Sequence, residues 1–341
     1  MLSTDLKFYK EKANGRLAGG TSNLIVSGVV QNLWPHVTSA QRTAGFFDYK
    51  GWYAKVGDDA DGTLIYPSLL LDAPTLSATD YMMYFTLGLR EAITSISGYD
   101  TGVDSETKYG SAKLKNNITG GDSTLTVTVK NAAMSSGADA IFRDGGKIKI
   151  TDKLTADALT GNEEVCTISG APSVSGSDVT ITVTGTITSS YTADGTIARV
   201  SSLIKPGDIA CSNTTPSKTS AAGTIDFSTY PIILDNIGTV EEDWTITFTD
   251  ATHFTLTGDD HTGSVATGVI SSNFAPNNTD FTKPYFTIES GVWGGTWAAG
   301  DTVTFTTHPA ALHLGGKRVV PAGTASLSNN KATLVFEGEA V

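Results

Sequence analysis

The sequence predicts an all-β protein: two to three β-sandwich or small-barrel domains with an extended N-terminal arm. Three observations carry this. Thr accounts for about 50 of the 341 residues, roughly twice its ordinary share, and 36 Gly stand beside it. Thr is β-branched and suits a pleated, half-exposed surface, and Gly serves the turns between strands. Charged residues make up only 17%, and long stretches lack the Glu, Lys and Leu that favour helix. Several segments alternate apolar and polar residues with the period of two that a half-buried strand requires.

Residues 1–45 read as an arm. Asn14-Gly15 and Gly19-Gly20 interrupt any periodic pattern. Leu24, Ile25 and Val26, then Val29 and Val30, then Leu33 and Trp34, sit among small polar residues. Pro35 ends the run, because the residue before Pro resists the αR region. Residues 39–43 fit one helical turn. Such an arm cannot bury its apolar residues alone and must lie on another domain or another subunit. Leu24, Ile25, Val26, Leu33 and Trp34 are therefore candidate interaction residues.

Residues 46–110 and 276–341 are both aromatic-rich and together suggest one discontinuous β domain. Its first part carries strand-like runs at 46–56, 64–66, 69–71 and 81–87, and its second part at 285–288, 302–306 and 332–337. Residues 111–205 read as a small barrel or sandwich. Their runs at 123–129, 147–150, 163–169, 178–185 and 196–200 are separated by turn signals, and 178–185 alternates most clearly. Residues 206–275 form a Thr-rich β module whose clearest unit is a hairpin, 244–249 against 253–257.

The charge balance excludes several partners. A net charge of −12 leaves no basic footprint for duplex DNA or anionic lipid, so neither nucleic acid nor a membrane is expected as partner. No run approaches the 18 apolar residues of a membrane span, and the N-terminus shows no apolar signal core. Cys166 and Cys211 cannot build a disulfide framework or, alone, a zinc site.

No catalytic or cofactor motif stands out. His36, His253, His261, His308 and His313 make no His-x-x-x-His pair, so neither metal nor cofactor is expected. The acidic turns Asp58-Asp59-Ala60-Asp61-Gly62 and Asp259-Asp260 lack the ligand spacing and closing Glu of a calcium loop. Gly315-Gly316-Lys317 runs into Arg318, not Ser or Thr, and reads as a hairpin turn rather than a phosphate loop. Glu163-Glu164 and Glu241-Glu242 are adjacent, so on strands their members face opposite ways. These readings favour a non-enzymatic protein. The segment Trp293-Gly294-Gly295-Thr296-Trp297 either stacks its indoles on a sugar or packs them into the core, which makes Trp293 and Trp297 further candidates.

The segment from Val29 through Leu33-Trp34-Pro35-His36-Val37, Gln41-Arg42-Thr43-Ala44-Gly45 and Asp48-Tyr49-Lys50-Gly51-Trp52-Tyr53 resembles virion structural proteins of tailed bacteriophages. So do Ala275-Pro276-Asn277-Asn278, residues 293–301 and residues 319–327. The resemblance lies at the ends of the chain and carries no catalytic residue. It implies an accessory protein of tail or baseplate, of the kind called ripcord, that clamps tube to sheath or baseplate. The implied partners are other virion proteins (tube, sheath, hub or neck subunits) in a symmetric homo- or hetero-assembly built in the host cytoplasm. The alternative is a carbohydrate-binding, capsid-decoration or receptor-binding virion protein.

Overall fold

Alternating runs become strands, and every ladder among the described residues is antiparallel. The computed structural model describes residues 2–29, 31–58, 62–73, 79–96, 106–328 and 330–340; Val30 of the arm and Asp59, Ala60 and Asp61 of the first acidic turn lie outside them. The first strands are β1 (Leu6–Lys10), β2 (Phe46–Val56), β3 (Leu64–Ala73) and β4 (Tyr81–Thr86). The short helix Ser39–Ala44 is capped by Thr38, whose side chain accepts from the Gln41 amide.

One sheet has the order β1, β2, the strand Ala311–Val320, β4. Gly315 and Gly316 lie inside the strand Ala311–Val320, which corrects their reading as a hairpin turn. A Cβ on Gly315 would stand 2.2 Å from the Phe85 ring, and one on Gly316 2.7 Å from the Trp52 ring. Those rings lie against the bare backbone, so the glycines answer a packing need rather than a turn.

The arm belongs to this sheet. β1 pairs with β2 from Leu6↔Val56 to Lys10↔Trp52. The Ile25 amide donates to the Phe8 carbonyl (2.8 Å). Tyr9 and Leu17 bury against Tyr53, with Leu24 beside them. Ile25, Leu33 and Trp34 pack on the core formed by Trp52, Leu69, Tyr84 and Leu314. The arm thus covers its inward apolar residues on its own chain.

β3 joins this sheet to the next unit. One edge pairs with the strand Thr333–Ala340 and the other, through Leu70↔Leu203, with the strand Arg199–Ile204. The middle unit follows from its alternation. The strands Thr124–Thr128 and Asp178–Thr182 send Leu125, Val127, Val179 and Ile181 inward and Thr126 and Thr180 outward, the two hydroxyls 3.2 Å apart. The strand Lys147–Thr151 adds Ile148 and Ile150 to the same core. The strand Glu163–Thr167 returns toward Asp178–Thr182 by one bridge, Ile168↔Val183. The sheet therefore curls around its core, but a single bridge rather than a ladder makes the closing contact, and no closed barrel forms.

The third unit is a six-stranded sheet in which the strand Glu242–Phe248 lies between Thr302–His308 and His253–Gly258. Its core holds Trp244, Ile246, Phe248, Phe254, Phe286 and Phe305. Most of the apolar residues of 276–308 thus pack with the 206–275 module, while Phe281 reaches the first sheet and meets Tyr9 edge-on at 5.6 Å. Only the strands Ala311–Val320 and Thr333–Ala340 return to that sheet and to β3. The register aligns Thr304, Thr245 and Thr257 in one row, and Thr302, Thr247, Thr255 and Thr267 in another, on the face away from the core. Seven Thr side chains thus line this outer face.

Two buried polar ties cross between units. Tyr84 of β4 places its hydroxyl between the Leu69 and Ser202 carbonyls (3.1 and 2.9 Å). Arg199 donates from Nε and Nη2 to Asp72 of β3 (3.0, 2.8 and 2.8 Å) and from Nη1 to the Lys153 and Ile197 carbonyls. Both members are nearly inaccessible, so removing one strands a buried charge. We expect Arg199→Met to lower stability by about 3–5 kcal/mol. The double change Arg199→Met with Asp72→Leu should recover most of that loss. Urea unfolding of the three proteins checks this, and equal midpoints for wild type and the single variant would refute it.

Candidate functional site

The densest convergence of charged side chains lies where four segments meet: the turn after β1, the loop after β4, the start of the strand Glu242–Phe248 and the turn after the strand His253–Gly258. The turn is set by local chemistry. After β1 the chain reverses at Lys12–Arg16, with the Lys12 amide donating to the Arg16 carbonyl (2.7 Å) and Gly15 at φ 81°. A Cβ on Gly15 would sit 2.5 Å from the Ala92 nitrogen and 2.7 Å from the Arg90 carbonyl group, so only Gly allows the turn to lie on the 90–92 loop. The Tyr53 hydroxyl donates to the Gly15 carbonyl (2.6 Å) from below, and its ring stacks on His313 at 4.1 Å.

Two guanidinium groups organise the cluster. Arg16, almost wholly buried, pairs with Asp259 and lies 3.7 Å from Glu242 and 3.6 Å from Asp260. Lys12 adds an ion pair to Asp260 at 2.7 Å. Arg90 grips Asp243 with two nitrogens (2.5 and 2.9 Å) and donates from Nε to Glu241 (2.8 Å). Arg90 holds φ 73°, a left-handed conformation that costs a non-Gly residue energy. Its carboxylate bonds offset that cost. Glu241 and Glu242 are both buried and do face opposite ways, Glu241 toward Arg90 and His308 (2.7 Å), Glu242 toward Arg16 and His261 (3.2 Å). The other His261 nitrogen meets the Tyr285 hydroxyl at 3.0 Å.

The electrostatics follow from these contacts. The Arg90 hydrogen bond holds the Asp243 carboxyl down at about 2. Burial pushes Glu242 up, against the hydrogen bonds it accepts from the Asp260 amide and His261. Burial also pushes the Tyr285 phenol to about 12. The cavity enclosed by Arg16, Glu242, His261 and Tyr285 measures about 30 Å³, room for one water. The arrangement can neutralise charge and clamp backbone segments. Its Glu242–His261–Tyr285 chain of hydrogen bonds borders that one-water space.

The structure distributes the residues singled out in the sequence. Leu24, Ile25, Leu33 and Trp34 pack inward, with Arg318 lying over the Trp34 ring at 5.0 Å. Val26 stays 47% exposed and its neighbour Val29 56%. Trp297 is buried and stacks on Phe248 (4.2 Å, 5° between planes), and Trp293 packs edge-on against both. Trp297 has no open face to offer a sugar, and both indole nitrogens are buried without a hydrogen-bond partner among the described residues. Asp259 and Asp260 serve Arg16 and Lys12, and no group of metal-ligating side chains occurs among the described residues. Sequence reasoning missed Arg16, Arg90 and Asp243. The only signal was the run Glu241-Glu242-Asp243 in a chain otherwise poor in charge.

No family model matches the chain, and a search of curated proteins finds none that matches it.

Gly15→Ala should lift the turn off the 90–92 loop. Hydrogen exchange should then show lost protection at the amides of Lys12 and Ala18, with the strand Thr124–Thr128 unchanged. Unaltered exchange at Lys12 and Ala18 would remove the argument. The Asp243 carboxyl is depressed in the folded state, so its stabilising contribution is whole above its ordinary value near 3.8 and is lost as pH falls toward about 2. Its side chain is half exposed, which limits the effect to about 1 kcal/mol or less. We expect Asp243→Asn to flatten the decline of the urea midpoint over that acid range; an unchanged slope would contradict it.

Proposed function

We propose that the chain is a non-enzymatic structural subunit of a tailed-phage virion, placed in the tail or baseplate, that joins neighbouring virion proteins. The arm junction is the observation that carries a structural role. Three cations pair with five carboxylates from four segments, with His261 and His308 beside two of the carboxylates, around a space for one water, so this charge clamps chain to chain. The resemblance of both chain ends to virion proteins supplies the setting. A clamp between tube and sheath or baseplate, of the ripcord kind, is the role proposed within it.

The arm divides the contact. Leu24, Ile25, Leu33 and Trp34 serve the chain's own core, while Val26 and Val29 point outward and are the side chains a neighbouring subunit would cover. Apolar side chains so exposed on a tightly anchored loop gain most from a partner.

Mass spectrometry of purified particles of a phage that encodes this chain should find it at a fixed copy number. Its absence from particles would overturn the proposal. Val26→Asp with Val29→Asp should leave the melting temperature of the isolated chain unchanged and prevent its incorporation. Normal incorporation of that variant would show that the arm is not the contact.

A further inference from the structure

A groove of about 330 Å³ runs between the arm and the first sheet, at the small end of cavities that bind ligands. Lys10, Glu11, Lys12, Leu33, Lys50 and Ile93 are among its walls. Lys10 lies opposite Trp52 in the β1–β2 ladder, and Lys50 stands two residues before Trp52. The two lysines therefore share one face as diagonal neighbours, with Cβ atoms about 7 Å apart.

Their charges are uncompensated. Lys12, Arg16, Arg90, Lys149, Arg199 and Arg318 all meet carboxylates. Lys10 and Lys50 meet none among the described residues. The one carboxylate in the groove wall, Glu11, is taken up elsewhere: one oxygen accepts from the Ile93 amide (2.8 Å) and the other lies 3.5 Å from His313. Other lysines, Lys7 and Lys205 among them, also meet no carboxylate among the described residues, but Lys10 and Lys50 stand side by side in the wall of one groove. Like charges at neighbouring positions repel, and an anion between them reverses the sign.

We infer that this groove binds an acidic, extended segment of a partner protein. Alternate residues of an extended strand are about 6.7 Å apart, which matches the diagonal spacing of Lys10 and Lys50. Carboxylates at positions i and i+2 would meet the two ammonium groups. Leu33, which packs on the Trp52 face that Lys10 and Lys50 share, gives the groove an apolar portion for an aliphatic side chain of the segment. The inference rests on the groove alone and stands whether or not the chain belongs to a virion.

The test uses the full chain and a fluorescein-labelled pentapeptide alternating aspartate and leucine, read by fluorescence anisotropy at low salt. Binding is expected, and Lys10→Glu with Lys50→Glu should weaken it by at least about tenfold. Lys218→Glu, at an exposed lysine of another sheet, should not. A peptide with asparagine in place of aspartate should not bind. Lys10→Met with Lys50→Met, checked for an unchanged melting temperature, repeats the test without charge reversal. No binding by wild type, or equal binding by wild type and both double variants, overturns the inference. Displacement by free succinate at the same concentration as unlabelled peptide also overturns it, because the groove would then be a small-anion site.

Discussion

Buried and part-buried cations tie the modules of this chain together at the seams of their apolar cores, and the placement of the neighbouring backbone depends on those contacts. A β-sheet that covers its core with one face presents the other to its surroundings, and in the six-stranded sheet that other face carries rows of Thr. Apolar packing of Trp52, Tyr84 and Leu314 against Leu69, Leu71 and Ile204 joins the first sheet to β3 and its neighbour, and buried polar contacts fix how the units sit on one another. Arg199 meets Asp72 between β3 and the middle unit. Arg16 and Arg90 meet Glu241, Glu242, Asp243 and Asp259 between the first sheet and the six-stranded one. Lys55 of β2, wholly buried, donates to the Asn236 and Thr239 carbonyls (2.6 and 3.4 Å), and burial draws it down to about 8. Each such cation loses hydration worth several kcal/mol and must recover it through well-placed acceptors. That demand fixes where the neighbouring backbone can lie.

The same constraint accounts for the local irregularities. Arg90, in a left-handed backbone, reaches both Glu241 and Asp243 from one loop, and those bonds offset the cost of that conformation. Gly15 is bare because the arm turn rests on the backbone of that loop. Neither feature reflects a preference of the residue in isolation. Both follow from bringing a turn near residue 15, a loop near residue 90 and a strand start near residue 242 to one point. Buried ion pairs gain little over apolar packing, but a mismatched arrangement strands a charge. Such contacts therefore discriminate against misdocked modules more than they add to stability.

The fold class was legible because period-two alternation is local. The strands Thr124–Thr128, Asp178–Thr182 and Glu242–Phe248 each show it within a few residues. What failed to show was long-range. Gly315-Gly316 looks like a turn in isolation, since the Phe85 and Trp52 rings that require it are far away in sequence. Residues 276–308 share the aromatic content of the first sheet, yet their Phe286, Trp297 and Phe305 complete the core around Trp244. Composition groups them with one partner and packing with another. The junction was hidden for the same reason: Arg90 and Asp243 are 153 residues apart, and no spacing rule reaches that far. Trp293 and Trp297 were visible as a pair, but the choice between a sugar and the core depends on Phe248.

The arm illustrates how packing on its own chain and contact with a neighbour coexist. Its apolar residues need cover, and the inward set receives it: Leu17 and Leu24 beside Tyr53, Ile25, Leu33 and Trp34 on the core around Trp52. The arm also carries Glu11, Lys12 and Arg16, which close contacts made by Ile93, His313, Asp260 and Asp259. Cutting the arm away would expose the edge of β2 and leave Glu242 and Asp259 facing one another without Arg16. A truncation would therefore disturb folding and association together and separate nothing. Val26 and Val29 differ from the inward set in having no role in the chain's own core. Changes confined to them can report on association alone, because the cations that hold the arm in place remain paired.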